Sequence, residues 1–392
     1  MRRSWWQPPR LRIGQSSEGE RHATWLELFY DLVFVAAVIQ LSENLSRDLS
    51  ASGFIRFLVL FVPVWWAWIG AAFFATRFDS DDTAHRLLTM LQMIAVAAMT
   101  ANIHAGLGSS SAGFAMSYAI VRLLLVAEYI RAGKNIPEAR PLTGRYSKGF
   151  ALAALVWLAS AFVPIPIRFI LWAVGFFIDF GTPISAGQLH SRLAPHESHL
   201  PERFGLFTLI VLGETVAGAV SGVSGYRWNM SSAVTAALGL CTAFGLWWIY
   251  FDSVAGTAIL AARECGRINI YQIWIYSHLP LTIGLTAVGV GITQAVLASS
   301  GPLSDIIRWL TFGSMAICFL SLAAIHITTT LPETKLRKEL GSTSRMLAAI
   351  LLLALASSGL KFPPVTLTAV LTLLCAAMVI IDFYERQHHE ND

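Results

Sequence analysis

Long apolar stretches separated by short polar connections run along almost the whole chain. Each stretch is close to the roughly 20 apolar residues that an α-helix needs to cross the hydrocarbon core of a bilayer. The pattern lacks the alternation of polar and apolar residues that is typical of barrel strands. It therefore predicts an all-α, polytopic membrane protein with about twelve transmembrane helices. The predicted helices cover residues 24–46, 54–77, 84–106, 112–133, 147–163, 166–189, 203–223, 231–255, 270–297, 304–330, 344–360 and 364–385.

Two pairs of similar segments indicate an internal repeat. The segment that begins at Glu27 reads ELFYDLVFVAAV, and the one at Gly205 reads GLFTLIVLGETV. Further along, PVWWAWI at Pro63 aligns with GLWWIYF at Gly245 at nearly the same offset. We therefore predict two parallel six-helix repeats, as in carriers whose halves are related by an axis along the membrane normal. The repeats would cover residues 24–189 and 203–385, with a cytoplasmic linker at 190–202.

Lysine and arginine are concentrated at the N-terminus and in the connections after the predicted fourth and tenth helices. Cytoplasmic loops of membrane proteins are enriched in these residues. The distribution predicts that both termini are cytoplasmic, with an N-terminal arm at 1–23 and a tail at 386–392.

Composition agrees with a chain that is surrounded by lipid. Hydrophobic residues make up 55% of the sequence and charged residues only 13%, against about 25% charged in a typical soluble domain. The net charge of +4 is scattered over loops, so membrane lipid is the expected partner and nucleic acid is not. The four cysteines are isolated and have no metal-ligand spacing, so no metal and no cofactor are predicted.

Two carboxylates in the first predicted helix are the first candidates for chemistry. Glu27 and Asp31 are four residues apart, which places both on one helix face. Acidic groups inside a membrane segment are costly and usually face a partner cation, a protein interior or a water-filled path. Such a pair of like charges can share a proton. Alternatively, Arg203 or Arg77 pairs with both acids and forms a static latch.

The second acidic segment, residues 199–222, contains Glu202 and Arg203 near its start and Glu214 near the middle of the predicted helix. Glu214 is therefore expected near the bilayer midplane. Glycines at positions 213, 218 and 222 make one side of this helix thin, so that another helix can approach closely.

Arg122 lies in the middle of the fourth predicted helix. A lone cation there costs at least about 2.5–3.5 kcal/mol on insertion scales, so it requires an acid at similar depth. Glu214 and Asp179 are the two candidates. Substrate or ion binding is accordingly expected at Glu27, Asp31, Glu214, Arg122 and Asp179, with a supporting ion pair among Glu202, Arg203 and Asp252.

The paired motifs WLELFYDLVFV and ERFGLFTLIVLGE resemble those of the bacterial low-temperature-requirement protein A family over essentially the whole chain. The resemblance implies a multi-pass protein of the bacterial cytoplasmic membrane. The family pattern covers Glu27, Asp31, Glu202, Arg203 and Glu214. A second, shorter segment, FYDLVF, is similar to the F-S-D-x-x-F signature of twelve-helix potassium channels with two repeats. It departs from that signature at Tyr30, and the second repeat has Thr208 and Leu209 where Ser and Asp are required.

Three functions are compatible with these residues. The first is a transporter or channel that uses buried carboxylates to move a small solute, a proton or a cation. The second is an intramembrane enzyme that acts on a lipid or isoprenoid, with Asp31 or Glu214 as general acid or base. The third is a non-catalytic membrane scaffold, and a homo-oligomer is compatible with all three. We expect transport rather than enzymatic activity, because the sequence contains no recognised catalytic motif.

Overall fold

The structure is a computed structural model that describes residues 6–11, 22–187, 189, 193, 198–224, 229–253, 268–298, 301–329 and 335–390. His190 and His196, which form a loose histidine cluster with His199 in the sequence, lie outside the described residues.

All twelve predicted helices are present in the described part of the chain, which confirms the all-α prediction. Their bounds are α1 Trp25–Arg47, α2 Ala51–Arg77, α3 Thr83–Ala101, α4 Ser111–Asn135, α5 Arg140–Ser160, α6 Ile167–Ala186, α7 His199–Ser224, α8 Met230–Ser253, α9 Ile268–Leu297, α10 Asp305–Thr329, α11 Lys335–Ser357 and α12 Pro364–Glu390. The predicted limits differ from these mainly at the ends of helices.

Eleven of these helices are long and apolar enough to cross a membrane. The exception is α5, whose first half carries Arg140, Arg145 and Lys148. The uncharged part, Gly149–Ser160, is shorter than the roughly 20 apolar residues that a full crossing requires. A helix at 147–163 is therefore confirmed, but its prediction as a membrane-spanning helix is not.

A short pair of strands was not predicted. β1 (Arg10–Leu11) pairs antiparallel with β2 (Phe78–Asp79), with Arg10 opposite Asp79 and Leu11 opposite Phe78. Two residues per strand carry too little periodicity to stand out in the sequence. The pairing holds the N-terminal segment against the connection between α2 and α3.

The chain divides into two compact units. Unit 1 contains Met1–Leu41, Val59–Arg203 and Ile259–Asn269, and unit 2 contains Ser42–Leu58, Phe204–Ala258 and Ile270–Asp392. Four of the five boundaries fall inside α1, α2, α7 and α9, so the first turn of α7 belongs to unit 1. The predicted division into two repeats and the orientation of the termini stay predictions.

In unit 1, α4 packs against α3 and α5, and α5 packs against α6. Gly149 allows the close approach of α5 and α6, because a Cβ at that position would lie 2.2 Å from Thr182 Oγ1. Any larger residue at 149 would force these two helices apart.

In unit 2, α10 packs against α11, and α8 packs against α12. The predicted thin side of α7 is confirmed at two of its three glycines. A Cβ on Gly218 would lie 2.1 Å from Thr293 Oγ1, and one on Gly222 would lie 2.8 Å from a methyl carbon of Val296, both on α9. Gly213 instead faces open space, so it does not contribute to the contact.

Candidate functional site

A buried group of charged side chains joins α1 to the first turn of α7 within unit 1. Arg203 Nη1 donates to Glu27 Oε2 at 2.5 Å, and Arg203 Nη2 donates to Asp31 Oδ1 at 2.6 Å. Arg203 is 1% exposed, and both acids are buried. The planar guanidinium presents several donors in a fixed fork, so it can bind the two carboxylates at once. We call Glu27, Asp31, His199 and Arg203 the Arg203 cluster.

Local sequence explains how the acids are held. Thr24 precedes the first residue of α1, and its Oγ1 accepts a hydrogen bond from the Glu27 backbone N–H at 3.3 Å. This is the contact of a helix N-cap, and it places Glu27 in the first turn. Trp68 on α2 donates its ring N–H to Asp31 Oδ1 at 2.9 Å. His199 is fully buried, and its Nε2 lies 3.0 Å from Glu27 Oε2.

The charges of the four described side chains do not cancel when His199 is neutral. Counted among these four alone, two carboxylates face one guanidinium, which leaves a net charge of −1, and one additional proton makes the cluster neutral. A net charge in a low-dielectric interior is costly. Within the described structure, Asp31 Oδ2 is buried and has no hydrogen-bond partner. It is therefore an oxygen that can take a proton without breaking an existing bond.

A cleft adjoins the cluster. Its lining comes from α1, α2, α3, α4 and the first turn of α7, and it includes Glu27 and Arg203 themselves. The other lining residues are Leu26, Tyr30, Ala71, Phe74, Ala75, His85, Thr89, Gln92, Leu125 and Glu128. The space open to the centre of a water-sized sphere is about 40 Å³, which is enough for roughly two or three water molecules. The charged cluster therefore borders a space that water can occupy.

A second set of polar side chains, on α3 and α4, also lines the cleft. His85 Nδ1 on α3 lies 2.9 Å from Glu128 Oε1 on α4, and both residues line the cleft. Arg131 lies one turn further along α4, with Nη1 at 3.7 Å from Glu128 Oε2 and Nη2 donating to Asp82 Oδ2 at 2.5 Å. These contacts connect the cleft to Asp82, the residue immediately before α3.

Asp82 caps α3 and ties three segments together. It accepts hydrogen bonds from the backbone N–H of His85 at 3.0 Å and of Gln7 at 2.8 Å. Burial raises the pKa of Asp82, but these two hydrogen bonds and the Arg131 guanidinium outweigh that effect and hold the pKa below its ordinary value of 3.8. A carboxylate with a lowered pKa stabilises the folded state at neutral pH. That contribution is lost as the pH falls through the folded-state pKa.

Replacement of Asp82 by alanine is expected to lower the free energy of unfolding by about 2–3 kcal/mol at neutral pH, because a cap and a charge-assisted hydrogen bond are lost. The difference from wild type should begin to shrink as the pH falls below the ordinary value of 3.8, and it should vanish once the pH has passed the lower pKa that Asp82 has in the folded state. Thermal unfolding in detergent, at neutral pH and at a pH well below 3.8, measures both the loss of stability and its dependence on pH. The matched control is Asp81→Ala, since that side chain is 64% exposed and should cost less than about 1 kcal/mol.

Arg122 finds its counter-ion inside unit 1. It pairs with Asp179 on α6, which also accepts a hydrogen bond from the Tyr118 hydroxyl. The Arg122 guanidinium lies 4.2 Å from the centre of the Phe150 ring. All of these polar side chains are fully buried, and none of them lines the cleft. Of the two predicted partners, the structure brings Asp179 to Arg122.

The remaining predicted residues have other surroundings. Glu202 accepts a hydrogen bond from the Ala23 backbone N–H at 3.1 Å, and Asp252 accepts one from the Trp248 ring N–H at 2.8 Å. Arg203 bonds Glu27 and Asp31, as the predicted latch requires, and the expected ion pair among Glu202, Arg203 and Asp252 stays a prediction. Glu214 is half-buried on α7 in unit 2, where Ser42 offers it a side-chain hydrogen bond.

Sequence reasoning missed three contributors to the site: the Trp68 donor, the His199 imidazole and the His85–Glu128 pair. A signal existed for α1, because Thr24 three residues before Glu27 has the spacing of a helix N-cap. No local signal identifies the other contacts, since their partners are far apart in the chain. Among the described residues, no group of three or more His, Cys, Asp or Glu side chains could hold a metal ion.

Comparison with known proteins identifies the family. The family described as bacterial low temperature requirement A protein (LtrA) matches residues 22–380. An uncharacterized protein of Rhizobium meliloti (strain 1021) is 26% identical over 303 residues, which cover 71% of this chain and 73% of that protein. No solved structure matches. The match includes both motif segments, ten of the eleven helices that are apolar enough to cross a bilayer and most of the last one, and this chain therefore belongs to the LtrA family of bacterial multi-pass membrane proteins.

Proposed function

We propose that the protein is a proton-coupled transporter of a small solute or cation. In this proposal the Arg203 cluster binds the proton, and the adjoining cleft admits water and the transported species. The protein would act in the bacterial cytoplasmic membrane with both termini in the cytoplasm, in agreement with the distribution of lysine and arginine.

The observation that carries the proposal is that Glu27 and Arg203 belong to both the buried ion pair and the wall of the cleft. A purely structural ion pair needs no path to water. A proton-binding group needs one, because the proton must arrive and leave through hydrogen-bonded water or side chains. Ionisable groups within membrane proteins commonly line such paths.

Binding of one proton changes how α1 is held. In this proposal a proton enters from the cleft at Glu27, which lines it, and is then held on Asp31 Oδ2, which does not, so that the net charge of the cluster changes from −1 to 0. The bond from Arg203 Nη2 to Asp31 then has an uncharged acceptor. The donor stays ionised, but the Coulomb attraction between the guanidinium and the Asp31 carboxylate is lost, so protonation weakens the link between α1 and the first turn of α7. Release of the proton restores it.

The cleft offers a place where a bound solute can affect the bonds between Arg203 and the two acids of α1. His85, Glu128 and Gln92 line the same space as Glu27. A solute that bonds to these groups changes the electrostatic environment of the Glu27 carboxylate. Solute and proton would thus affect each other's affinity, which is the thermodynamic requirement for coupling.

We expect Glu27→Gln and Asp31→Asn to reduce proton flux at least about tenfold, a change of about 1.4 kcal/mol in the barrier. Full-length protein is reconstituted in vesicles that contain a pH-sensitive dye. Potassium ions, alkylamines, amino acids and sugars are then added outside, each under an imposed pH gradient, and the interior pH is followed. Wild-type vesicles should change pH faster than protein-free vesicles with at least one of these probes.

The matched control is Glu43→Gln, which removes a carboxylate from the same helix at a side chain that is 49% exposed. It should keep the wild-type flux. Equal rates for Asp31→Asn and wild type, or for wild type and protein-free vesicles with every probe, would refute the proposal. Glu214→Gln is measured alongside. A loss of flux in that variant assigns an ion-binding role to the half-buried carboxylate of unit 2, and wild-type flux removes Glu214 from the proposal.

A further inference from the structure

Polar side chains of three helices meet in unit 2, where the end of α1 contacts α7 and α9. Ser42 on α1 is 4% exposed and offers a side-chain hydrogen bond to the Glu214 carboxylate on α7. Ser46, one turn further along α1, accepts a hydrogen bond from Gln294 Nε2 on α9 at 2.7 Å. Residues four apart share one helix face, so Glu214 and Gln294 approach the same face of α1. We call Ser42, Ser46, Glu214 and Gln294 the Glu214 group.

Close packing of α7 against α9 fixes two members of the Glu214 group. A Cβ on Gly289 of α9 would lie 2.8 Å from Thr215 Oγ1 and 3.2 Å from the Thr215 Cα atom. Glu214 directly precedes Thr215, and Gln294 lies five residues after Gly289, about 8 Å along α9. The two side chains are therefore carried by rigid helices in direct contact, which hold a site more precisely than loops do.

The Glu214 carboxylate has only negative charge beside it in the described structure. It is half-buried and lies ten residues before the end of α7, about 15 Å along the helix. Among the described residues it forms no ion pair, and the charge that acts on it is that of Glu43. Glu43 is itself exposed and lies 3.6 Å from Arg47. A carboxylate inside a membrane segment is costly unless a cation or a water-filled path accompanies it.

We propose that the Glu214 group binds a monovalent metal cation, Na⁺ or K⁺. The carboxylate, the two serine hydroxyls and the Gln294 side-chain carbonyl are all oxygen ligands, which such hard cations prefer. Gln294 donates its amide N–H to Ser46, so its carbonyl oxygen is left for the ion. One carboxylate supplies one negative charge, which matches a monovalent ion. This inference goes beyond the proposed function, because the Arg203 cluster and its proton belong to unit 1.

Thermal unfolding of purified full-length protein in detergent tests the cation site. Sodium chloride, potassium chloride and choline chloride are compared at equal ionic strength and constant pH. A ligand that binds only the folded state raises the Tm as its concentration rises. We expect Na⁺ or K⁺ to raise the wild-type Tm above its value in choline, and Glu214→Gln to abolish this rise. Gln294→Leu and the milder Ser46→Ala each remove one ligand, so both should require at least about tenfold more cation for the same rise.

Asp252→Asn is the matched control, because it removes an exposed carboxylate of unit 2 and should keep the wild-type response to salt. Size-exclusion chromatography verifies that each variant is folded. The same wild-type Tm in all three salts, or an equal rise in Glu214→Gln, would overturn the proposal. A Tm that depends on pH but not on the salt would also overturn it, since Glu214 would then bind only a proton. The readout needs no transported solute, so a negative flux experiment leaves this test intact.

Discussion

Replacement of Arg203 by methionine is expected to destabilise the protein by about 3–5 kcal/mol, because two buried carboxylates lose their counter-ion. Glu27 and Asp31 would remain side by side on one face of α1, each with its nearest guanidinium bond removed. The imidazole of His199, 3.0 Å from Glu27, could compensate only one of the two charges. Thermal and chemical unfolding in detergent measure the loss.

A thermodynamic cycle separates the ion pair from other effects of the substitution. In a Glu27→Gln/Asp31→Asn background, Arg203→Met should cost much less than in wild type, since no charges remain to be compensated. Arg56→Met is the control, because Arg56 forms an ion pair with Asp48 while 54% exposed, and such pairs contribute about 0–1 kcal/mol. Arg203→Met with wild-type stability would show that the cluster carries little of the folding energy.

Replacement of Asp179 by leucine is expected to destabilise the protein by a similar amount, about 3–5 kcal/mol, since it leaves Arg122 as an uncompensated buried cation. Arg122 and Asp179 are surrounded by aromatic rings, including Phe150 at 4.2 Å from the guanidinium. Gly70 on α2 also packs closely against the guanidinium, because a Cβ at position 70 would lie 2.6 Å from Arg122 Nη1. Little room exists for water to solvate the orphaned charge.

The double variant Arg122→Met/Asp179→Leu should recover most of this loss, because apolar replacements of a buried ion pair are often close to neutral in stability. It also tests the role of the pair. Neither residue lines the cleft, so we expect the double variant to keep its proton flux. A folded double variant without flux would instead place Arg122 and Asp179 on the transport path, as the sequence alone suggests.

The helices could be predicted from the sequence because each depends on a local property, the length of an apolar run. The eleven helices that are apolar enough to cross a bilayer were all predicted. The failure at α5 has the same local cause: Arg145 and Lys148 shorten its apolar part. The requirement for a counter-ion at Arg122 was also local, since any lone cation at that depth is costly.

The identity of each partner could not be predicted, because it depends on how distant helices pack. The sequence offers Arg203 and Arg77 as possible partners of Glu27 and Asp31, and in the structure Arg203 is the one that bonds both acids. Arg77 instead donates to the Leu193 carbonyl oxygen at 2.9 Å. Arg203 is 176 positions from Glu27 and 172 from Asp31 in the chain.

The sequence by itself determined that this is an all-helical, multi-pass membrane protein of the LtrA type with costly charges inside its helices. Length, hydropathy and motif spacing are sufficient for that conclusion, because lipid requires each helix to satisfy its own backbone hydrogen bonds. Only the tertiary structure decided that Glu27, Asp31, His199 and Arg203 form one cluster beside a cleft, and that Arg345 pairs with Asp382 in unit 2. Charge compensation requires some partner for each buried ion, but helix packing alone selects which side chain comes within hydrogen-bonding distance.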